Sequence, residues 1–158
     1  MTRQLRRAPV AALLTTLVAG WLLAAMPTER VRAYPVARAS HALGATDTAH
    51  LHYVSASGSL LLDEGKATGS LPGTMRVHLD LGATFTGSFT VYTSGGSIKG
   101  HGSAIPHGSG TYESFAGTLT VTGGTGRYAR ARGHGKLYGT FNRNNYALVI
   151  KTTGSLTY

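Results

Sequence analysis

Two histidines offer the simplest chemistry in this sequence. His50 and His52 are two positions apart, and on a β-strand that spacing puts both imidazoles on one face. A pair of imidazoles binds a transition metal well when a third ligand is fixed nearby. The sequence fixes no third ligand beside them. We therefore predict no metal site, and we interpret His50 and His52 as solvent-facing residues of a strand.

Acid–base catalysis is limited by the number of acidic residues. After residue 33 the chain has five of them, namely Asp47, Asp63, Glu64, Asp80 and Glu113. Asp80 shares a strand face with His78 and Arg76, so it could act as a base beside an imidazole if that face lined an interior. The opposite face of the same strand is uniformly apolar and should turn inward. We therefore interpret Asp80 and His78 as surface residues, and catalysis by them as the alternative.

Glu113 is the best candidate for a polar group inside the fold. It lies two residues before Phe115 and shares the face of that ring if the strand already includes it. An inward carboxylate is costly unless it has a partner, and Arg132 is the candidate partner. We favour a solvated position at the end of the strand for Glu113, and the position inside the fold is the alternative.

Several reaction classes lack their residues. The absence of cysteine excludes thiolate zinc sites, thiol catalysis and disulfides, and no G-x-S-x-G sequence supports a serine hydrolase. Residues 124–129 fit the G-x-G-x-x-A form of a dinucleotide-binding loop, which requires a following helix and a later acidic residue. Gly133 and Gly135 follow instead, and no acid occurs after Glu113. We predict no cofactor.

The elements that must position these residues are β-strands. After residue 47 glycine recurs every few positions, and no stretch of ten residues has helical spacing. Threonine, valine, tyrosine, phenylalanine and leucine fill the intervals, as is typical of strands. The predicted strands lie near residues 49–54, 58–63, 74–81, 84–93, 96–101, 111–122, 128–139 and 146–158. About eight short strands without disulfides predict an all-β fold, a small antiparallel β-barrel.

A glycine-rich turn follows the sixth of these strands. Its residues are Gly123-Gly124-Thr125-Gly126-Arg127-Tyr128, and Ala131-Arg132-Gly133 closes the segment. This pattern resembles the GGTG(K/R)(F/Y)xxARG signature of plant dirigent proteins, allene oxide cyclases and their secreted bacterial relatives. The resemblance is recognisable over about residues 110–141. It implies an antiparallel barrel of about eight strands, in which the glycine motif is structural.

The same resemblance implies a cofactor-free cyclase or isomerase. In those families, lumenal carboxylates with arginine and tyrosine near the mouth of the barrel assist ring closure on a hydrophobic substrate. Their catalytic positions lie outside the matched segment, so no catalytic role is transferred to this chain. Glu113 and Arg132 remain the foremost catalytic candidates, and Phe115 and Tyr128 are the candidate ligand contacts.

Residues 1–33 have the features of a signal peptide. Three arginines precede an uncharged apolar run over 10–26, and Val31-Arg32-Ala33 is a suitable cleavage site. We predict export with cleavage after Ala33. Cleavage after Ala25 or after Ala39 and an N-terminal membrane anchor are the alternatives. Residues 34–47 read as a flexible lead-in, and residues 48–158 as the barrel.

The charge balance bears on partners. Removal of residues 1–33 lowers the net charge from +9 to +5, which favours loose association with anionic polymers. The basic segment 127–132 is too narrow for a nucleic-acid footprint, so we predict neither nucleic acid nor, after cleavage, a membrane as a partner. We predict a secreted binding or structural module for a small apolar ligand or a cell-surface partner. A homo-oligomer that associates through the Thr/Ser-rich outer faces is a further alternative.

Overall fold

The computed structural model describes residues 41–158, which form eight β-strands and one turn of 3-10 helix. The strands are β1 (Ala42–Ser57), β2 (Leu60–Gly69), β3 (Gly73–Leu81), β4 (Phe85–Thr93), β5 (Gly96–His107), β6 (Tyr112–Gly124), β7 (Arg132–Asn142) and β8 (Leu148–Thr157). The 3-10 turn spans Gly126–Tyr128. The predicted signal peptide lies outside the described residues. Within residues 41–158, no helix is long and apolar enough to cross a lipid bilayer.

Each strand pairs antiparallel with the next strand of the chain, and β8 pairs with β1 to close the barrel. The predicted all-β barrel of about eight antiparallel strands is therefore confirmed. We call the end of the barrel with the β2–β3 and β6–β7 connections the upper end. The end with the β1–β2 and β7–β8 connections is the lower end. Closure leaves no strand edge unpaired, which suits a domain without disulfides.

The structure differs from the predicted strands at four main places. β2 continues to Gly69 and β5 to His107, past their predicted ends at 63 and 101, because these residues pair with the neighbouring strands. β1 begins at Ala42, inside the predicted lead-in, because residues 42–51 pair with β8 and complete the barrel. Tyr128 lies in the 3-10 turn rather than in a strand, because Gly126 has a positive φ of 59° and redirects the chain. β7 therefore starts only at Arg132, and Tyr128 does not share a strand face with that arginine.

Alternate side chains of each strand point into the barrel, as period-2 patterning requires. On β3 the inward residues Met75, Val77 and Leu79 are all buried, as the alternation predicted. Aromatic rings fill the lower part of the lumen, where Phe85 packs edge-on against Phe115 and Phe141 with centroid distances of 5.9 Å. The lower part of the lumen is therefore a packed core.

Candidate functional site

The middle and upper parts of the lumen contain a cavity of about 130 Å³. Apolar side chains make most of its wall. Phe85 and Phe115 are among the residues nearest the lower end, and Leu71 and Ile98 are among those nearest the upper end. Phe115, a predicted ligand contact, therefore lines the cavity, whereas Tyr128 is not among its lining residues.

Small residues create this space. Ala45, Ala49 and Ala67 take the inward positions on the upper parts of β1 and β2. Glycines also occupy two pairs of opposed inward positions, so no side chain fills the lumen there. The pairs are Gly87 with Gly102 and Gly135 with Gly154. A Cβ on Gly154 would lie 2.3 Å from the carbonyl oxygen of His134, so no side chain fits there. The cavity is thus encoded by missing side chains in an otherwise apolar lumen.

Two polar residues face this space side by side. Asp47 on β1 lies directly opposite Thr152 on β8 in the strand register, both occupy inward positions, and both line the cavity. Residues opposed in this way have Cβ atoms about 4.5–5.5 Å apart. Asp47 and Thr152 therefore form a polar step in an apolar wall, and a single ligand group could contact both.

The backbone around Asp47 holds its carboxylate in place. The N–H of Leu71 donates a hydrogen bond of 2.7 Å to Asp47 Oδ1. Gly69, the residue opposite Asp47 on β2, has a φ of 123°, and a Cβ there would lie 2.8 Å from Oδ1. Burial raises the pKa of Asp47, and the backbone N–H groups of Leu71 and Ser70 partly offset that rise. The cavity thus has an acidic group whose charged form is disfavoured by its surroundings.

The glycine-rich motif closes the upper end beside the cavity. Tyr128 and Ala131 are buried in a cluster with Ile98, Val121 and Leu156. The guanidinium of Arg127 lies over the Tyr128 ring, 4.7 Å from its centroid, and the ring also packs against Tyr158.

Hydrogen bonds tie this turn to β5. Thr125 accepts a hydrogen bond of 3.0 Å from the backbone N–H of Ser97, and its own N–H donates to the Ser97 carbonyl. Gly124 lies against the same strand, since a Cβ there would be 2.0 Å from the Ser97 carbonyl oxygen. The residues of the motif therefore cover the upper end of the barrel, held by packing and by hydrogen bonds to β5.

Glu113 lies on the inward face of β6 near the lower end and is 3 % exposed. The favoured solvated position is therefore wrong, because β6 already includes Glu113 and directs its side chain inward with Phe115. Its partner is Arg143 of the β7–β8 connection, which donates a hydrogen bond to Glu113 Oε2. The expected pairing of Glu113 with Arg132 is wrong. Arg132 lies at the upper end and donates instead to the carbonyl oxygens of Thr122 and Ala131. The two residues lie at opposite ends of the barrel because β6 and β7 are antiparallel.

Asp63, like Asp47, is an acid that the sequence pattern did not place inside the barrel. Its side chain is fully buried on the inward face of β2, and neither carboxylate oxygen has a hydrogen-bond partner among the described residues. Burial raises its pKa to about 6, and the nearby His52 opposes the rise. The only signal was its position two residues after the inward Leu61. That signal was hidden because the run Leu60-Leu61-Leu62 has no alternation.

The remaining candidates lie on the outside of the barrel. His78 is exposed on the outer face of β3, and Asp80 follows it on that face at the lower end. His50 and His52 are exposed on β1. Within residues 41–158, no group of three or more histidine, aspartate or glutamate side chains is arranged to hold a metal ion.

Comparisons with protein-family models, curated proteins and solved structures find no match to this chain. The similarity to dirigent proteins and allene oxide cyclases stays a prediction that rests on the motif at residues 123–133. The geometry of the lumen is therefore the main evidence on function.

Proposed function

We propose that this chain is an exported binding protein whose barrel holds one small apolar molecule with a single polar group. The observation that carries the proposal is the cavity of about 130 Å³ with its apolar wall and the Asp47–Thr152 step. Export rests on the signal-peptide features of residues 1–33.

The size of the cavity sets the size of the ligand. An engineered apolar cavity of about 150 Å³ stays dry and binds benzene or xenon, whereas pockets for drug-sized ligands are about 300–1,000 Å³. A cavity of about 130 Å³ therefore fits a molecule close to benzene in size. Larger hydrophobic substrates would require the upper end to open.

The polar step sets the chemistry of the ligand's polar group. A carboxylate accepts hydrogen bonds, and a threonine hydroxyl both donates and accepts. A ligand hydroxyl placed at the Asp47–Thr152 step can donate to Asp47 and also bond with Thr152. A ligand with a hydroxyl at one end and an apolar body fits both the step and the rest of the wall.

The alternative, a cofactor-free cyclase or isomerase, has less support. Such an enzyme requires a cavity of several hundred Å³ and an acid facing a donor across the substrate. Among the described residues lining the cavity, Asp47 is the one acid, and one of its oxygens already accepts from Leu71. Asp63 and Glu113 are not among the lining residues. These observations favour binding over catalysis.

The test is ¹⁹F NMR of the protein with fluorobenzene and with 4-fluorophenol. We expect both probes to bind in a one-to-one complex and in mutual competition, with 4-fluorophenol binding about tenfold more tightly, because one good hydrogen bond to a charged group contributes about 1.5 kcal/mol. Binding of neither probe would contradict the proposal. Turnover of the phenol or of a larger cyclisable substrate would favour the enzyme.

A further inference from the structure

The two halves of the barrel differ strongly in charge. Residues 41–80 contain two Lys/Arg and four acids, whereas residues 81–158 contain seven Lys/Arg and one acid, a net charge of +6. That one acid is Glu113, which is buried and paired with Arg143. Because the strands follow one another around the barrel, this asymmetry in sequence becomes an asymmetry between two walls.

The outer surface of β5–β8, which we call the basic face, has no acidic side chain. Its exposed cationic and imidazole residues are Lys99, His101, His107, Arg132, His134, Lys136 and Lys151. The β6 strand between them contributes exposed hydroxyls, since Thr118 lies opposite Lys136 and Thr120 lies opposite His134. The face therefore presents positive charge and hydrogen-bond donors together.

The opposite wall serves as an internal comparison. On the outer surface of β2 and β3, Lys66 and Arg76 are accompanied by Glu64 and Asp80, and Arg76 donates a hydrogen bond of 2.6 Å to Glu64. The cations of this wall are balanced within the molecule. In the part of the chain that the structure describes, no acidic side chain of the outer surface lies near the cations of the basic face.

Two cations of the basic face converge on one spot. A Cβ placed on Gly123 would lie 3.5 Å from Arg132 Nη1 and 3.7 Å from the Cε of Lys99, so both side chains border the space above this glycine. The hydrogen bonds of Arg132 to Thr122 and Ala131 both use Nη1, and among residues 41–158 its Nε and Nη2 N–H groups have no acceptor. Neighbouring like charges repel, and an anion between them would relieve that repulsion.

We propose that the basic face binds a linear phosphodiester chain, recognised through its phosphates. Arginine forks and lysines bind phosphate oxygens well, and the threonine hydroxyls between them can donate to the same groups. Successive residues on one strand face are about 6.6 Å apart and neighbouring strands about 4.8 Å apart, so the cations can engage successive phosphates. The face exposes two single tyrosines, Tyr112 and Tyr138, but no row of aromatic residues of the kind on which successive bases stack, which favours a polyol phosphate over nucleic acid.

The test measures binding of the protein to fluorescently labelled poly(glycerol phosphate) at 50 and 200 mM NaCl. With about four phosphates contacted and a slope of about −0.7 per phosphate, we expect affinity to fall roughly 50-fold over this range. Poly(glutamate) and oligo(dT) of matched charge serve as competitors. Competition by either polymer as strong as that by unlabelled poly(glycerol phosphate) would overturn the assignment to a polyol phosphate.

Two matched double variants test the location. The K136Q/K151Q variant removes two exposed cations of the basic face, and K66Q/R76Q removes two from the opposite wall, so both lower the net charge by two. We expect the first to weaken binding at least tenfold and to reduce the salt slope by about 1.4, and the second to leave both within twofold. Equal weakening by the two variants would overturn the proposal, since net charge alone would then explain binding. A third variant, K99Q/R132Q, removes the two cations that converge beside Gly123 and should likewise weaken binding. Thermal unfolding verifies that each variant is folded.

Discussion

The backbone N–H of Leu71 donates a 2.7 Å hydrogen bond to Asp47 Oδ1, and this bond ties the β2–β3 turn to the wall of the cavity. The side chain of Leu71 lines the same cavity and packs against the cluster that closes the upper end. One carboxylate thus both lines the cavity and holds part of its cover. Substitution of Asp47 should therefore affect stability and binding together.

The Asp47→Ala variant should lose the bond to Leu71 and the polar step. We expect the free energy of unfolding to fall by about 1–2 kcal/mol, since a net hydrogen bond to a charged group contributes about 1.5–3 kcal/mol and burial already disfavours this charge. The preference for 4-fluorophenol over fluorobenzene should disappear, as ¹⁹F NMR would show. Asp47→Asn keeps an acceptor for Leu71 and should recover most of the stability. A phenol preference that survives in Asp47→Ala would show that the polar group binds elsewhere.

Filling the lumen should abolish binding without unfolding the barrel. Ala67 is buried on β2, and the cavity lies in front of its inward side chain. We expect Ala67→Leu to reduce binding of fluorobenzene at least tenfold and to change the free energy of unfolding by less than about 1.5 kcal/mol, because the added atoms enter existing space. Thr68→Leu, on the exposed outer side of the same strand, is the matched control and should bind normally. Unchanged affinity in Ala67→Leu would place the probes outside the lumen.

Asp63 should make the barrel less stable as the pH rises. Its pKa is raised from 3.8 to about 6 in the folded state, so the folded protein holds this proton more firmly than the unfolded chain does. The stabilisation that this provides is complete at low pH and is lost as the pH rises from about 4 to above 6. A shift of that size corresponds to about 3 kcal/mol.

The measurement compares Asp63→Asn with the unmodified protein by urea unfolding at pH 4 and pH 7.5. From pH 4 to pH 7.5, we expect the free energy of unfolding of Asp63→Asn to rise by about 2 kcal/mol relative to that of the unmodified protein, because an amide cannot ionise. A constant difference between Asp63→Asn and the unmodified protein at both pH values would show that Asp63 does not titrate in this range.

Removal of Arg143 should leave Glu113 buried without its partner. Arg143 is about half exposed, so the loss is smaller than for a fully buried ion pair, and we expect Arg143→Gln to lower the free energy of unfolding by about 1–2 kcal/mol at pH 7.5. In a Glu113→Gln background, Arg143→Gln should have little effect on the free energy of unfolding, because the buried charge is then gone. Arg132→Gln should have the same effect with and without Glu113→Gln, because Arg132 contacts carbonyl oxygens at the other end of the barrel. Equal coupling of both arginines to Glu113 would refute the assigned pairing.

The patterns that predicted correctly are local ones. The alternation along Met75, Val77 and Leu79 predicted the buried face of β3, because side chains of a strand point to opposite sides whatever the partner strand is. The glycine-rich motif at residues 123–126 predicted a turn after β6 for a similar reason, since the backbone freedom of glycine belongs to the residue itself. An all-β barrel of about eight strands followed from counting such segments.

What the sequence left undecided depends on pairing between distant segments. Asp47 faces the cavity only because β1 extends back to Ala42 to pair with β8, about a hundred residues later in the chain. Glu113 meets Arg143 rather than Arg132 because the direction of β7 assigns these arginines to opposite ends. The burial of Asp63, the opposed glycine pairs and the basic face likewise arise from closure and register. The number of strands, and the apolar face where alternation is regular, could be read from the sequence because they are local properties. The extent of β1, β2 and β5 and the pairs of residues that meet could not, because register is set by contacts that no local pattern contains.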